Sequence, residues 1–219
     1  MSKEMTQGKC YLCQGVFPKN QMTKHLETCM QKQPAETEAP RQRTFRILAE
    51  GHGQPEYWLY FEIPAEAKFS SIDRFLRKTW VECCGHMSAF TIEGTRYSVS
   101  PMRDFDEKSM KVALGDVLRP GMKFYHEYDF GTTTELILRV VSEREGEFGG
   151  ASIQVLARNE PPLITCDSCG ATATQVCSQC IWEDGGWLCD ECAQEHECGE
   201  EMLLPVVNSP RVGMCAYTG

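Results

Sequence analysis

Long apolar runs and the known signatures of catalysis are both missing from this chain. No stretch of its 219 residues approaches the ~20 apolar residues that a membrane-spanning helix needs, which predicts no membrane contact. The opening residues Met1 to Glu4 lack the apolar core of a signal peptide, so a cytoplasmic location is expected. The sequence has no Walker loop, nucleotide-binding glycine fingerprint, nucleophile elbow or HExxH motif. These absences favour a protein that is not an enzyme.

Positive charge is scarce in the last quarter of the chain. Residues 160–219 hold a single Arg, Arg211, against ten carboxylates. Phosphate neutralisation needs clustered Lys and Arg, so nucleic-acid binding by this segment is disfavoured. Residues 1–43 differ, with seven basic against four acidic side chains. A nucleic-acid partner bound through residues 1–43 is therefore an alternative, and six of these seven basic side chains are candidates for it: Lys3, Lys9, Lys19, Lys24, Arg41 and Arg43.

Cysteine, by contrast, is abundant, with thirteen residues. Disulfides rarely persist in a reducing cytosol, so metal ligation is the leading explanation. The cysteines and the composition between them divide the chain into four predicted segments. These are a zinc finger at 1–30, a linker rich in Gln, Glu and Pro at 31–43, an α+β domain at 44–160, and a double zinc-binding module at 161–219 with its ligands between 166 and 198.

The central segment mixes two hydrophobic periodicities. Helical spacing of apolar residues predicts a helix from Ser70 to about Val81. Strands are expected at 44–50, 57–63, 89–92, 95–99, 122–128, 135–141 and 152–157, with 89–99 forming a hairpin around Glu93-Gly94. Because strands and helices do not alternate regularly, the fold class predicted is α+β, with a mixed or antiparallel sheet and one or two helices, flanked by two small zinc-stabilised modules.

The first metal-binding pattern is Cys-x2-Cys-x11-His-x3-Cys. Its four donors are Cys10, Cys13, His25 and Cys29. The two-residue gap lets a tight turn aim both sulfurs at one point, and the last two donors share one face of a short helix. Such donors suit tetrahedral zinc. The segment resembles a zinc finger of the CCHC type, and the run containing Glu27 is similar to small ubiquitin-binding fingers, which implies a protein partner.

The second pattern places eight donors, including three Cys-x2-Cys hooks, in 33 residues. The donors are Cys166, Cys169, Cys177, Cys180, Cys189, Cys192, His196 and Cys198. They match two four-coordinate zinc ions, which makes three ions per chain with the finger. Sites filled by four protein ligands are structural rather than catalytic, because no position stays open for water. Spacing alone leaves the pairing open, and sequential pairing of the first four donors is one option.

The order of these donors resembles B-box and, less closely, MYND modules. That resemblance implies a cross-brace, with Cys166, Cys169, Cys189 and Cys192 on one ion and Cys177, Cys180, His196 and Cys198 on the other. Both modules bind other proteins, which again implies a protein partner. Between the hooks, Trp182, Trp187 and Leu188 could form a recognition surface or the core of the module.

The central segment resembles the plasmid pRiA4b ORF-3-like domain family. The runs that carry the resemblance are 57–64, 69–76, 86–92, 112–118 and 125–131. The most specific of them is Tyr128-Asp129-Phe130-Gly131. The resemblance implies an α+β fold and a link to plasmid or mobile-element biology. Many members continue with Asp, Trp and His at alternate positions, where this chain has Thr132, Thr134 and Leu136, which lowers the expectation of catalysis.

Few polar residues remain for an active site. His86, His126 and Asp129 would form one only if the fold made them converge; His86 is expected to be structural and Asp129 to cap a turn. The pair Cys83-Cys84 could be reactive or bind metal, although burial is the usual fate of free cysteines. Cys215 has no partner pattern.

The sequence thus favours a non-enzymatic zinc-binding protein that acts as a protein-interaction adaptor. The alternatives are a nucleic-acid-associated factor using residues 1–43 and an enzyme with its site in the central domain.

Overall fold

The computed structural model describes residues 6–32, 41–149, 152–183 and 185–219. Residues 33–40 of the predicted linker, and Lys3 of the predicted basic segment, lie outside the described residues. The chain forms two compact units, one made of Met1–Phe75 and Met87–Glu160 and the other of Leu76–His86 and Pro161–Gly219. None of the described helices is long and apolar enough to cross a membrane.

The first unit is built on one ten-stranded sheet, with the strand order β2-β1-β10-β4-β3-β9-β8-β5-β6-β7. Its strands are β1 (Gln7–Cys10), β2 (Val16–Pro18), β3 (Arg41–Gly51), β4 (Gln54–Pro64), β5 (Ser88–Ile92), β6 (Thr95–Ser98), β7 (Lys108–Ser109), β8 (Lys123–Tyr128), β9 (Thr134–Glu147) and β10 (Gln154–Asn159). Neighbouring strands are antiparallel, except for the parallel pair of β6 and β7. This arrangement confirms the predicted α+β class.

Strand β4 lies inside the sheet and is covered on both faces, which explains its nearly unbroken apolar sequence. Because side chains alternate along a strand, Trp58 and Tyr60 share one face and Phe61 points to the other. Trp58 and Tyr60 belong to a buried cluster with residues of the predicted finger. On the opposite face, the ring of Phe61 lies 5.0 Å from that of Phe75.

The described residues of the first unit form three α-helices: α1 (Lys19–Gln31), α2 (Phe69–Leu76, whose last residue falls in the second unit) and α3 (Leu114–Val117). Helix α2 is followed along the chain by a π-helical turn, Arg77–Val81, so the helical stretch predicted over 70–81 is confirmed. The predicted hairpin is also confirmed, because β5 and β6 pair directly and Glu93 and Gly94 both have positive φ, as a two-residue turn requires.

The second unit has little regular structure. A three-stranded sheet holds β11 (Gln175–Cys177) between β12 (Trp187–Leu188) and β13 (Leu203–Pro205), and α4 (Asp190–Gln194) is its only α-helix in the described residues apart from Leu76 at the end of α2. A small buried cluster contains Cys166, Leu188 and Ala193. Elsewhere in the described residues of 161–205 the buried apolar side chains are Ala173, Val176 and Cys177, so the shape of this segment depends on other interactions.

Candidate metal centres

The first group of donors comes from the β1–β2 turn and helix α1. Cys10 ends β1, Cys13 follows in the turn, and His25 and Cys29 share one face of α1. The four ligand atoms lie within 4.8 Å of one another, with Cys13 Sγ 3.5 Å from His25 Nε2. The four residues that the sequence pattern predicted are therefore brought together in a geometry able to hold a metal ion.

This finger segment is part of the large sheet. Strand β1 pairs with β10 and thereby extends the sheet by two strands. Met22 and Leu26 on α1 are fully buried in one cluster with Trp58, Tyr60 and Leu156 of the central strands. Burial against the sheet thus supplies the apolar contacts that a 20-residue finger lacks.

The eight donors of the second unit form two groups. One contains Cys166, Cys169, Cys189 and Cys192, and the other contains Cys177, Cys180, His196 and Cys198. This is the cross-braced grouping implied by the B-box resemblance, and sequential pairing is wrong. Two hydrogen bonds place the third hook beside the first: the backbone N–H of Asp167 donates to the Trp187 carbonyl over 2.8 Å, and the backbone N–H of Trp187 donates to Asp167 Oδ2 over 2.8 Å.

Hydrogen bonds shift the pKa values of individual thiols in these two groups. Backbone N–H groups, first that of Cys189, lower the pKa of Cys166 to about 6. Burial raises the pKa of Cys177, but backbone N–H groups led by that of Cys180 outweigh it and bring the pKa to about 7. The neighbouring Cys198 raises the pKa of Cys180 to about 12. Each of these two groups therefore combines a thiol that ionises readily with one whose pKa is raised by neighbouring thiols, Cys180 in one group and Cys192 in the other.

The distances fit tetrahedral zinc and exclude disulfides. With zinc–sulfur bonds of about 2.3 Å, a tetrahedron has sulfur–sulfur edges of about 3.8 Å. Cys169 Sγ lies 3.6 Å from Cys189 Sγ, and Cys180 Sγ lies 3.6 Å from Cys198 Sγ. A disulfide would need about 2.0 Å. All thirteen cysteines lie among the described residues, and all are free thiols.

The sequence left Cys83 and Cys84 open as a reactive or metal-binding pair but did not connect them with His86 and Cys215 in a fourth group. Cys83, Cys84, His86 and Cys215 place four ligand atoms within 4.8 Å of one another. The expectation that Cys83 and Cys84 are buried is wrong, since Cys84 is exposed and Cys83 is half-buried. The short run Cys83-Cys84-Gly85-His86 was the available signal, but its fourth donor lies 129 residues further along the chain than His86, beyond any local pattern.

The three residues proposed for an enzyme site have separate surroundings. His126 is fully buried on β8, and its Nε2 lies 2.9 Å from Asp73 Oδ1. Asp129 has a φ of 64°, and its Oδ1 accepts a hydrogen bond from the backbone N–H of Gly131, which confirms the predicted turn cap. His86 Nε2 lies 3.0 Å from Cys84 Sγ. Each side chain therefore has a structural partner.

The aromatic and apolar residues between the hooks have different roles. Leu188 is buried in the small core of the second unit, and Trp187 is half-buried beside it in β12. Trp182 lies in a short 3-10 helix, Cys180–Glu183, and is 60% exposed. Of the three, Trp182 is therefore the one available to a partner.

Two basic side chains of the N-terminal segment are paired within the first unit. The Lys19 ammonium contacts the Glu50 carboxylate, and Arg43 Nε donates to Glu143 Oε1 over 2.6 Å. Lys24 and Arg41 are exposed, and Lys9 is half-exposed. The described basic residues therefore offer fewer free charges for phosphate than their number suggests.

The fold is similar to a protein of unknown function, MM3350 from Methanosarcina mazei Go1, whose crystal structure aligns with 74% of this chain and 86% of that one, with a TM-score of 0.49 and 13% identity. No protein-family model matches the sequence, and no curated protein matches it significantly.

Proposed function

We propose that this protein is a non-enzymatic zinc-binding adaptor whose zinc-held second unit binds a protein partner. The observation that carries the proposal is the assembly of complete four-donor groups from residues far apart in sequence. Four protein donors fill a tetrahedral zinc ion and leave no position for a substrate or an activated water. Zinc in these groups would therefore shape the chain rather than carry out chemistry.

Zinc is the metal that the donor sets favour. Thiolate and imidazole donors select zinc over magnesium or calcium, which prefer oxygen ligands. The finger group and the Cys177 group each combine three cysteines with one histidine, and the Cys166 group has four cysteines. The proposed ligands are thus Cys10, Cys13, His25, Cys29, Cys166, Cys169, Cys177, Cys180, Cys189, Cys192, His196 and Cys198.

Metal analysis tests this part of the proposal. Protein purified without added metal is expected to contain at least three zinc ions per chain, measured by inductively coupled plasma mass spectrometry and by native mass spectrometry. The variant C180S is expected to lose one ion. The control S178A changes a residue of the same hook and should lose none, because the Ser178 hydroxyl donates to the Met202 carbonyl and not to the donor group. A metal-free chain with a protease-resistant second unit would refute the assignment.

The surface of the second unit suits a basic protein partner. The segment Pro161–Gly219 carries nine carboxylates and one Arg, and that Arg is fully buried. Trp182 projects from this acidic unit, two residues after the donor Cys180. An exposed Trp among charges of one sign is typical of a binding hot spot, with the aromatic ring as anchor and the charges steering association.

Replacing Trp182 should therefore weaken partner binding strongly. Truncating a hot-spot Trp costs about 2 kcal/mol or more, so W182A is expected to weaken retention of the partner by about thirtyfold. Affinity capture with the zinc-loaded chain, quantified by mass spectrometry at two salt concentrations, measures this effect. L163A is the matched control, since Leu163 is an exposed apolar residue of the same unit, 89% accessible. Equal retention by W182A, L163A and the parent chain would contradict the proposed surface.

The central domain connects the proposal to plasmid or mobile-element biology. This connection depends on the resemblance to the pRiA4b ORF-3-like family, carried best by residues 128–131. In that run the backbone N–H of Gly131 donates to Asp129 Oδ1 over 3.0 Å, and this hydrogen bond explains why the motif contains Asp at the turn. A cytoplasmic location belongs to the same proposal, because free thiols in metal sites suit a reducing compartment.

A further inference from the structure

Cys83, Cys84, His86 and Cys215 belong to the second unit, although two distant segments supply them. The first three follow the π-helical turn Arg77–Val81. Cys215 comes from the C-terminal segment 209–217, which is held by successive turns. Ser209 Oγ of that segment donates to the backbone carbonyl of Trp80 over 2.6 Å. The four donors therefore meet where two chain segments are packed together.

The sulfur–sulfur spacing matches a tetrahedral ion, and the sulfur–nitrogen distances are somewhat shorter than the ideal edge. Cys84 Sγ lies 3.6 Å from Cys83 Sγ and 3.8 Å from Cys215 Sγ. His86 Nε2 lies 3.0 Å from Cys84 Sγ and 3.3 Å from Cys215 Sγ. Tetrahedral zinc has edges of about 3.8 Å between sulfurs and about 3.6 Å between sulfur and nitrogen. Neither sulfur pair is near the roughly 2.0 Å of a disulfide bond.

The backbone is bent to bring these donors together. Gly85, between two of them, has a φ of 84°, a conformation that glycine adopts without strain. Cys215 and Ala216 have φ values of 47° and 53°, although neither is glycine. Left-handed conformations of such residues are strained and persist where surrounding interactions compensate. A metal bond to Cys215 would supply such compensation.

A buried cation lies against the site. Arg211 is fully buried, and its Nη2 donates to Cys83 Sγ over 3.4 Å. Three thiolates, one neutral imidazole and Zn²⁺ would sum to one negative charge, which suits a site next to this guanidinium.

Cysteine usage provides a separate argument. The four groups together contain all thirteen cysteines of the chain, and none is used twice. Three of the groups, including this one, consist of three cysteines and one histidine. A chance cluster of thiols would not be expected to repeat the donor set of the other groups.

We propose that Cys83, Cys84, His86 and Cys215 bind a fourth structural zinc ion, which fastens the C-terminal segment 209–217 to residues 76–86. This inference rests on the proposed zinc function for the identity of the metal. The site lies outside the predicted finger and cross-brace, so it can be absent while those groups are loaded.

Native mass spectrometry of the full chain tests the fourth site. The parent protein is expected to carry four zinc ions and C215S three. A216S is the matched control, because it changes the neighbouring exposed residue and leaves all donors in place; it is expected to keep four ions. Cobalt substitution gives a second readout, since thiolate-to-cobalt absorption near the ultraviolet should fall by about a quarter in C215S if each of four sites contributes similarly.

Thiol labelling covers the case in which C215S does not fold. In the zinc-loaded parent protein, Cys84 and Cys215 are solvent-exposed, yet they should resist alkylation until a chelator is added. Three ions with rapid labelling of both thiols would overturn the fourth site and leave the proposed function intact. A mass lower by two hydrogens, located to this group as a disulfide, would also overturn it. Fewer than three ions would instead refute the proposed function.

Discussion

Chelation of the bound metal is expected to unfold the segment from Cys166 to Cys198 while the ten-stranded sheet stays folded. The second unit buries few apolar side chains in this segment, the core members being Cys166, Leu188 and Ala193. Structural zinc sites contribute about 10–16 kcal/mol of apparent binding free energy in small modules, far more than this core can supply. The first unit has its own large apolar core, including Trp58 and Phe61, so it does not depend on zinc.

Hydrogen exchange measured by mass spectrometry distinguishes the two responses. After treatment with a strong chelator, amides of β11, β12 and α4 are expected to lose protection, whereas those of β3, β4 and β9 keep theirs. Helix α1 should show an intermediate response, because its buried face packs on the sheet. Readdition of zinc should restore the protection, and chelator saturated with zinc is the control. Unchanged protection of β11 and β12 in the metal-free chain would contradict this prediction.

The second large effect is expected at Glu62, a fully buried carboxylate of β4. Arg144 Nη2 donates to Glu62 Oε2 over 2.7 Å, and this pairing raises the pKa of Arg144. Arg46, which is also buried, has its Nη2 3.5 Å from Glu62 Oε1. Glu62→Ala would leave Arg46 as an uncompensated buried cation. Breaking a buried pair from one side typically costs about 3–5 kcal/mol, and we expect a loss of that size.

The chain contains a matched control for this substitution. Glu143 pairs with Arg43 through hydrogen bonds of 2.6 Å and 3.1 Å, but both side chains are about a third exposed. Exposed pairs contribute at most about 1 kcal/mol, so Glu143→Ala should change stability little. Urea unfolding of the zinc-loaded protein, followed by tryptophan fluorescence, measures both variants. Equal losses of stability in the two variants would contradict the prediction, because they would show that the burial of Glu62 does not increase the cost of removing its carboxylate.

Strands and helices with strong local patterns were predictable from the sequence. The Glu93-Gly94 turn and the apolar spacing up to Val81 fall where local chain geometry alone selects the conformation. Strand ends were less accurate. Strand β9 continues to Glu147, well beyond the predicted 141, because its outer half pairs with the start of β3 rather than following an apolar pattern of its own.

The sequence by itself determined the donor types, the local hooks and the α+β class, because short spacings and periodicities depend only on neighbouring residues. It left open which hooks share an ion, and only tertiary contacts such as those between Asp167 and Trp187 decided that grouping. It also could not connect Cys215 with Cys83, nor place helix α1 on the sheet beside Trp58. Those contacts join residues far apart in the chain, and only the packing of whole elements determines which of them meet.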